Sequence, residues 1–342
     1  MSDLRTLLER TKAEAPTPEL RLDDIHRRHG RRSRNRRLAA GLFGIAVATL
    51  AVIVAADVTH FEPRPAVQPS PSPSVPIAVE GTYRLLNVSD GSVTPFPAPE
   101  GGSWFRFSPD GSSVIFVKDD ARGRPQLFRM GADGSDLAQI TPVPEWASEA
   151  DEPAWSADGK WIAYSGGPSG QRELIAARPD GYHPPRAAVG WGVRDARAPS
   201  WSPDGSKIAV AARGGIWIQP LEYYNGNESI TSSRRARLLL SSGSSPAWSP
   251  GGDQIAFTSG QGSGRKVAIA NADGTHVREI TDPTSDHPTW SPDGATIAYD
   301  VWSPDGHVAV WLLDVGTGRQ RLLLNDASVE SWKDDGTLLV ST

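Results

Sequence analysis

The stretch Trp290-Ser-Pro-Asp-Gly-Ala-Thr-Ile-Ala-Tyr299 joins an aromatic residue, a tight-turn tetrapeptide and a short apolar run. The phrase recurs at Phe107-Ser-Pro-Asp-Gly, Trp155-Ser-Ala-Asp-Gly, Trp201-Ser-Pro-Asp-Gly, Trp248-Ser-Pro-Gly-Gly and Trp332-Lys-Asp-Asp-Gly. Successive aromatics lie 48, 46, 47, 42 and 42 positions apart, the period of four-stranded propeller blades. Glycine supplies the positive φ of a hairpin turn, and Asp bonds back to its local backbone. Beyond each turn come an apolar strand, such as Ile208-Ala-Val or Ile255-Ala-Phe, another strand, and a second turn at Ala132-Asp-Gly, Pro179-Asp-Gly, Ala272-Asp-Gly or Gly316-Thr-Gly. Two hairpins per unit make one blade, so the expected class is all-β.

The sixth unit breaks off after Leu338-Leu-Val, whereas Tyr83-Arg-Leu-Leu-Asn-Val and Val93-Thr-Pro-Phe form a second hairpin with no aromatic unit before it. Joined, they give a six-bladed ring whose terminal blade is shared by the two chain ends, leaving no unpaired edge. A seventh copy, Trp302-Ser-Pro-Asp-Gly, follows Trp290 by only 12 residues. That is too close for a blade, so Ser303 to Gly306 are expected to turn between the two middle strands of blade five.

Residues 38–56, LAAGLFGIAVATLAVIVAA, carry no charge in 19 positions; as a helix they reach about 28 Å, enough to cross a bilayer. Before them, residues 26–37 contain seven arginines and no acid. By the positive-inside rule, Arg31, Arg32, Arg34, Arg36 and Arg37 lie against the inner membrane surface, and the chain after Asp57 lies outside. The formal charge of -5 divides into +5 for residues 1–37 and -10 for the rest. The expected organisation is a basic cytoplasmic tail (1–37), a transmembrane helix (38–57), a Pro-rich spacer (58–79) and the propeller (80–342), a single-pass cell-membrane protein. Nucleic-acid binding is not expected, because arginines beside a span serve topology first. The chain has 34 Gly, 29 Pro and no Cys. Disulfides, thiolate catalysis and cysteine metal sites are therefore excluded.

Repeats of the form W-S-P-D-G-x-x-I-A-F/Y followed by A-D-G resemble the six-bladed propellers of the TolB, or WD40-like (PD40), family over residues 80–342. The short Leu-bearing tail, Arg run and single span resemble actinobacterial membrane proteins encoded with extracytoplasmic-function sigma factors. The TolB family's own N-terminal domain is absent, so its partner does not carry over. Related propellers precede a hydrolase domain in prolyl-oligopeptidase-like enzymes, but no G-x-S-x-G nucleophile elbow occurs here.

Ligand recognition is expected in the loops between blades. Glu145, Trp146, Glu149, Asp151 and Glu152 crowd the first, and Trp191, Asp195 and Arg197 the second; Asp151, Asp195, Asp286 and His287 come shortly before an inner strand and are read either as pointing toward the axis or as solvated loop residues. Trp146 and Trp191 match no repeated position and are read either as exposed contacts or as plugs of the channel and their own loops. No Ca²⁺-loop pattern or zinc-binding His/Cys pattern occurs, so neither a metal nor a cofactor is expected. The insertion from Glu222 to Arg237 is read as a lateral contact or a mobile excursion. The leading reading is a non-enzymatic, membrane-anchored binding or scaffold protein for an envelope protein, peptide or glycan. The alternatives are transmembrane signalling, with the tail holding a cytoplasmic regulator such as a sigma factor, and a propeller hydrolase or lyase.

Overall fold

The computed structural model describes residues 83–141, 150–167, 172–181, 193–224, 229–232, 235–334 and 336–342. The expected tail, span and spacer lie outside them, and no helix among the described residues is long and apolar enough to cross a membrane. The described chain forms six antiparallel blade sheets and a small accessory hairpin.

Blade one runs Ser103–Phe107, Ser113–Asp119, Pro125–Gly131 and Ala138–Gln139. Blade two shows three strands among the described residues, Ala150–Trp155, Ile162–Gly166 and Glu173–Ala177. Blade three is Arg197–Trp201, Lys207–Ala212, Gly215–Pro220 and Arg237–Leu240; blade four is Ser244–Trp248, Gln254–Ser259, Lys266–Asn271 and Arg278–Glu279. Blade five is Ser285–Trp290, Thr296–Trp302, Val308–Asp314 and Gln320–Asn325. Blade six unites the chain ends as expected: Ser328–Asp334 and Thr337–Ser341 pair onward to Tyr83–Asn87 and Val93–Pro95. Tyr83 stands opposite Ser341, and Asn87 opposite Thr337.

Each Ser-Pro-Asp-Gly turn is locked by its serine. The hydroxyl of Ser291 donates to Asp293 at 2.6 Å and accepts the amide of Thr296 at 2.9 Å; Ser108 and Ser202 repeat the pattern. Where Gly251 replaces the Asp, Asp253 supplies the carboxylate to Ser249 at 3.1 Å. The Trp302 copy is a turn, as expected: the Ser303 amide donates to the His307 carbonyl at 2.9 Å across the middle hairpin of blade five.

The apolar runs are buried on both faces because a blade has a neighbour on each side. Six core clusters fill the six seams. The alanine of each Ile-Ala-x run shares a cluster with the next blade's tryptophan: Ala163 with Trp201, Ala209 with Trp248, Ala256 with Trp290 and Ala298 with Trp332. At the closing seam the sizes change together, with Leu339 beside the smaller Phe107. Four of the indoles also stitch blades, their Nε1–H donating to the preceding blade's inner strand: Trp155 to the Arg106 carbonyl, Trp201 to Ala154, Trp290 to Ala247 and Trp332 to Thr289, at 3.0 to 3.2 Å.

The insertion in blade three forms a hairpin, Glu222–Tyr224 with Ser229–Thr231. Leu221 and Ile230 are buried in the seam between blades two and three, and the Tyr223 hydroxyl donates to the Gly205 carbonyl at 2.6 Å. Its described residues thus pack against the ring. Elsewhere the turn glycine lies against the preceding blade's turn proline, Gly252 on Pro203 and Gly294 on Pro250. Blade two has Ala157 at that place, and Tyr223 occupies the position over Gly205.

Candidate functional site

The six inner strands surround an axial cavity of about 530 Å³, within the size range of small-ligand sites. Each strand is bulged just before its aromatic, where pairing with the second strand shifts register. The residue three places before the aromatic has positive φ in five blades: Trp104, Glu152, Ala198, Ser245 and His287. A bulge re-aims side chains, and here all five residues line the cavity. Non-glycine residues in this region carry strain that clusters at functional sites.

The wall is lopsided. Blades three and four offer Ala198, Pro199, Ser200, Ser245, Pro246 and Ala247. Trp155 and Trp201 also line the cavity, but the charged groups come from the other side, Arg106 of blade one, Glu152 of blade two and Glu330 of blade six, together with Trp104 of blade one and His287 of blade five. The Arg106 guanidinium lies 5.8 Å over the Trp104 ring, and the His287 ring is 6.4 Å from it, edge to face.

Behind His287 stands Asp300, fully buried on the second strand of blade five. It accepts the Ser328 hydroxyl at 2.6 Å and the Val329 amide at 2.8 Å, and meets His287 Nδ1 at 3.3 Å. Burial opposes the charge on His287, but the hydrogen bond to Asp300 and the fields of Asp286 and Asp300 outweigh it, so its pKa is raised despite nearby Arg106. The neighbouring Asp286 accepts the Thr258 hydroxyl at 2.7 Å and the His287 amide at 2.8 Å and pairs with Arg265.

Arg106 Nη1 donates to the carbonyls of Glu330 at 2.7 Å and Phe105 at 2.9 Å, with the Glu330 carboxylate farther off at 3.5 Å. Burial pushes the Glu330 carboxyl above the ordinary glutamate value; Arg106 opposes that shift, and Asp300 adds to it. Among the described residues, no group of three or more His, Cys, Asp or Glu is placed to hold a metal ion.

The ring superposes on a TolB-type protein from Agrobacterium tumefaciens with a TM-score of 0.60, at 19% identity, covering 76% of this chain and 97% of that one. The fold is the TolB-like six-bladed propeller. TolB from Acinetobacter baumannii matches at a TM-score of 0.50 and 17% identity over 76% of this chain and 63% of its own. At these identities the likeness establishes architecture alone. No known family profile matches the chain. In sequence it is 25% identical over 169 residues to the uncharacterized protein Atu1656 of Agrobacterium fabrum, covering 45% of this chain and 53% of that protein. The chain thus spans about half the length of that curated relative.

Within this TolB-like ring the expected site residues separate. His287 lines the cavity, and Asp286 supports it from behind. Asp195 and Arg197 pair with each other at 3.7 Å, each side chain nearly half exposed, outside the cavity lining. Asp151 lies on the inner strand of blade two. Glu145, Trp146, Glu149 and Trp191, with Arg31, Arg32, Arg34, Arg36 and Arg37, lie outside the described residues.

Sequence reading missed Trp104, Arg106, Asp300 and Glu330, and placed Glu152 among the acids of the first loop. The available signal was departure from the repeat inside the strands. Four inner strands end in Pro-x-Trp, whereas blade one has Phe105-Arg-Phe and blade six has Glu330-Ser-Trp. Asp300 occupies the place filled by Val117, Ser165, Ala211, Thr258 and Ser341 in the other blades.

Proposed function

We propose that this chain is a binding module that recognises an envelope protein, peptide or glycan through the axial cavity of its propeller. Residues 38–57 anchor it in the cell membrane, with the Arg-rich tail inside and the ring outside. The observation that carries this reading is the lopsided cavity: Trp104, Arg106, His287 and Glu330 line a space whose far wall carries no charge and is mostly small residues. Aromatic and arginine groups in such a recess are the usual anchors of recognition. The test is capture of envelope components by full-length protein carrying Trp104→Ala with His287→Ala, compared with Trp146→Ala with Trp191→Ala. Loss only in the first pair, with unchanged melting, supports the cavity. Loss only in the second moves recognition to the loops, and undiminished capture by both overturns this reading.

A second reading has its own observation. Asp300 holds Nδ1 of His287, which lines the cavity, and Glu330, also in the lining, has a raised pKa; a base and an acid in one cavity are the parts of a hydrolase or lyase. Turnover of an envelope glycan or peptide, abolished by His287→Ala, would favour it over binding alone. Signalling through the inner tail is a separate proposal, tested by deleting residues 1–25 and measuring transcription with membrane insertion intact.

A further inference from the structure

Hydrogen-bond capacity in the axial cavity is unbalanced. Its carboxylates already have donors: Glu152 accepts the Ala198 amide, and Asp300 behind the wall accepts from Ser328 and Val329. Its cationic groups have donors to spare. Arg106 spends Nη1 on two carbonyls, while its Nε and Nη2 meet no partner among the described residues. Glu330 takes part of that charge through Nη1 alone, its carboxylate lying 3.5 Å from that atom, longer than a close charge-assisted hydrogen bond. His287 commits Nδ1 to Asp300, leaving Nε2 without a partner among the described residues and its side chain 40% exposed.

The Arg106 guanidinium and the His287 ring both lie by the Trp104 ring, and all three residues line the cavity opposite the small side chains of blades three and four. We propose that the cavity recognises a carboxylate, gripped by the free edge of Arg106 and Nε2 of His287, with the ligand's body against the Trp104 indole and the small-residue wall. The planar guanidinium fork matches a carboxylate in geometry as well as charge. Stacking on an indole suits a ring-bearing ligand. The inference rests on the cavity being the binding site.

The proposal carries a pH sign. The charged and titratable groups around His287 are Asp286 and Asp300 of blade five, Arg106 of blade one and Glu330 of blade six, which lies beside Arg106 and Asp300. A proton on Nε2 converts it into a donor, so carboxylate affinity rises as pH falls through the raised His287 value. Protonation of Glu330 works in the same direction by releasing Arg106.

The test uses full-length protein in mild non-ionic detergent and two matched probe pairs: N-acetylphenylalanine with its amide, and glucuronate with glucose. Calorimetry should show at least one acid bound about tenfold or more tightly than its neutral partner, and the ring signal of His287 should shift in histidine-labelled protein. Preference for N-acetylphenylalanine identifies a chain-end carboxylate, and preference for glucuronate an acidic sugar. Arg106→Lys and His287→Gln should each cost about tenfold in affinity while the protein still melts cooperatively as a folded ring, and His287→Gln should flatten the pH dependence. Arg197→Ala, outside the cavity, should leave binding intact. Equal affinity for acid and neutral partners, no binding by either pair, or acid binding that survives both cavity variants would overturn carboxylate recognition. The wider reading of the cavity stands or falls separately on the capture experiment.

Discussion

At the scale of single residues, the indole nitrogens separate packing from hydrogen bonding. Trp290 and Trp248 are both 8% exposed and occupy equivalent seams. The Trp290 Nε1–H donates to the Ala247 carbonyl at 3.1 Å, whereas Trp248 Nε1 is buried with no partner among the described residues. Replacing either by Phe removes similar ring area, but only at position 290 is a hydrogen bond lost. Trp290→Phe should therefore destabilise by about 0.5–1.5 kcal/mol more than Trp248→Phe in urea unfolding; equal losses would mean that the indoles act by bulk alone. The turn serines lend themselves to a pH test. Hydrogen bonds from the Ser291 hydroxyl and the Ala295 amide hold the Asp293 carboxyl below its ordinary range. A depressed pKa contributes stability above the unfolded-state value and loses it as pH falls through the folded value. Ser291→Ala should raise the Asp293 pKa, read from its carboxyl NMR titration.

At the scale of strands, the pairing of sizes across seams governs what each middle strand accepts. Alanine at 163, 209, 256 and 298 leaves space for a buried tryptophan from the next blade, whereas Ile115 at the equivalent place meets the only part-buried Trp155. Ala256→Leu should overpack against Trp290 and cost about 1–3 kcal/mol in chemical unfolding. The closing seam has the reverse arrangement, Leu339 with Phe107. Phe107→Trp alone should destabilise, and Leu339→Ala added to it should recover part of the loss; strict additivity of the two changes would sink the size-matching argument. The inner strands were legible as strands from their terminal aromatics. Their bulges were not, because positive φ at Trp104 or His287 has no glycine to announce it and arises from fitting the strand around the axis.

At the scale of the whole ring, closure depends on a strand brought from the other end of the described chain. Tyr83–Asn87 covers Thr337–Ser341 along its whole length. Removing residues through Pro95 would expose Thr337–Ser341 as an open edge carrying the apolar run Leu338-Leu-Val, a template for pairing with other chains. The expected result is a lower melting temperature with soluble oligomers by size-exclusion chromatography; a monomer melting as before would show the two-stranded remnant to be sufficient. The closing seam also lacks an indole stitch, since the Phe107 ring has no N–H to give. Arg106 supplies a bond there instead, to the Glu330 carbonyl at 2.7 Å, so the residue that links the last blade to the first also lines the cavity.

The blade count, the shared terminal blade and the Trp302 turn are all written in local chemistry: glycine where φ is positive, Asp and Ser where a turn closes, an aromatic once per unit. Of the four residues that sequence reading left as axial or solvated, His287 lines the cavity with Asp286 behind it, whereas Asp195 lies outside. Only the tertiary structure decided the candidate site, because Arg106, His287, Asp300 and Glu330 come from blades one, five and six and meet through ring closure. Their roles follow from burial and from which hydrogen-bonding atoms remain unspent. Those are properties of the assembled ring, which no linear spacing encodes.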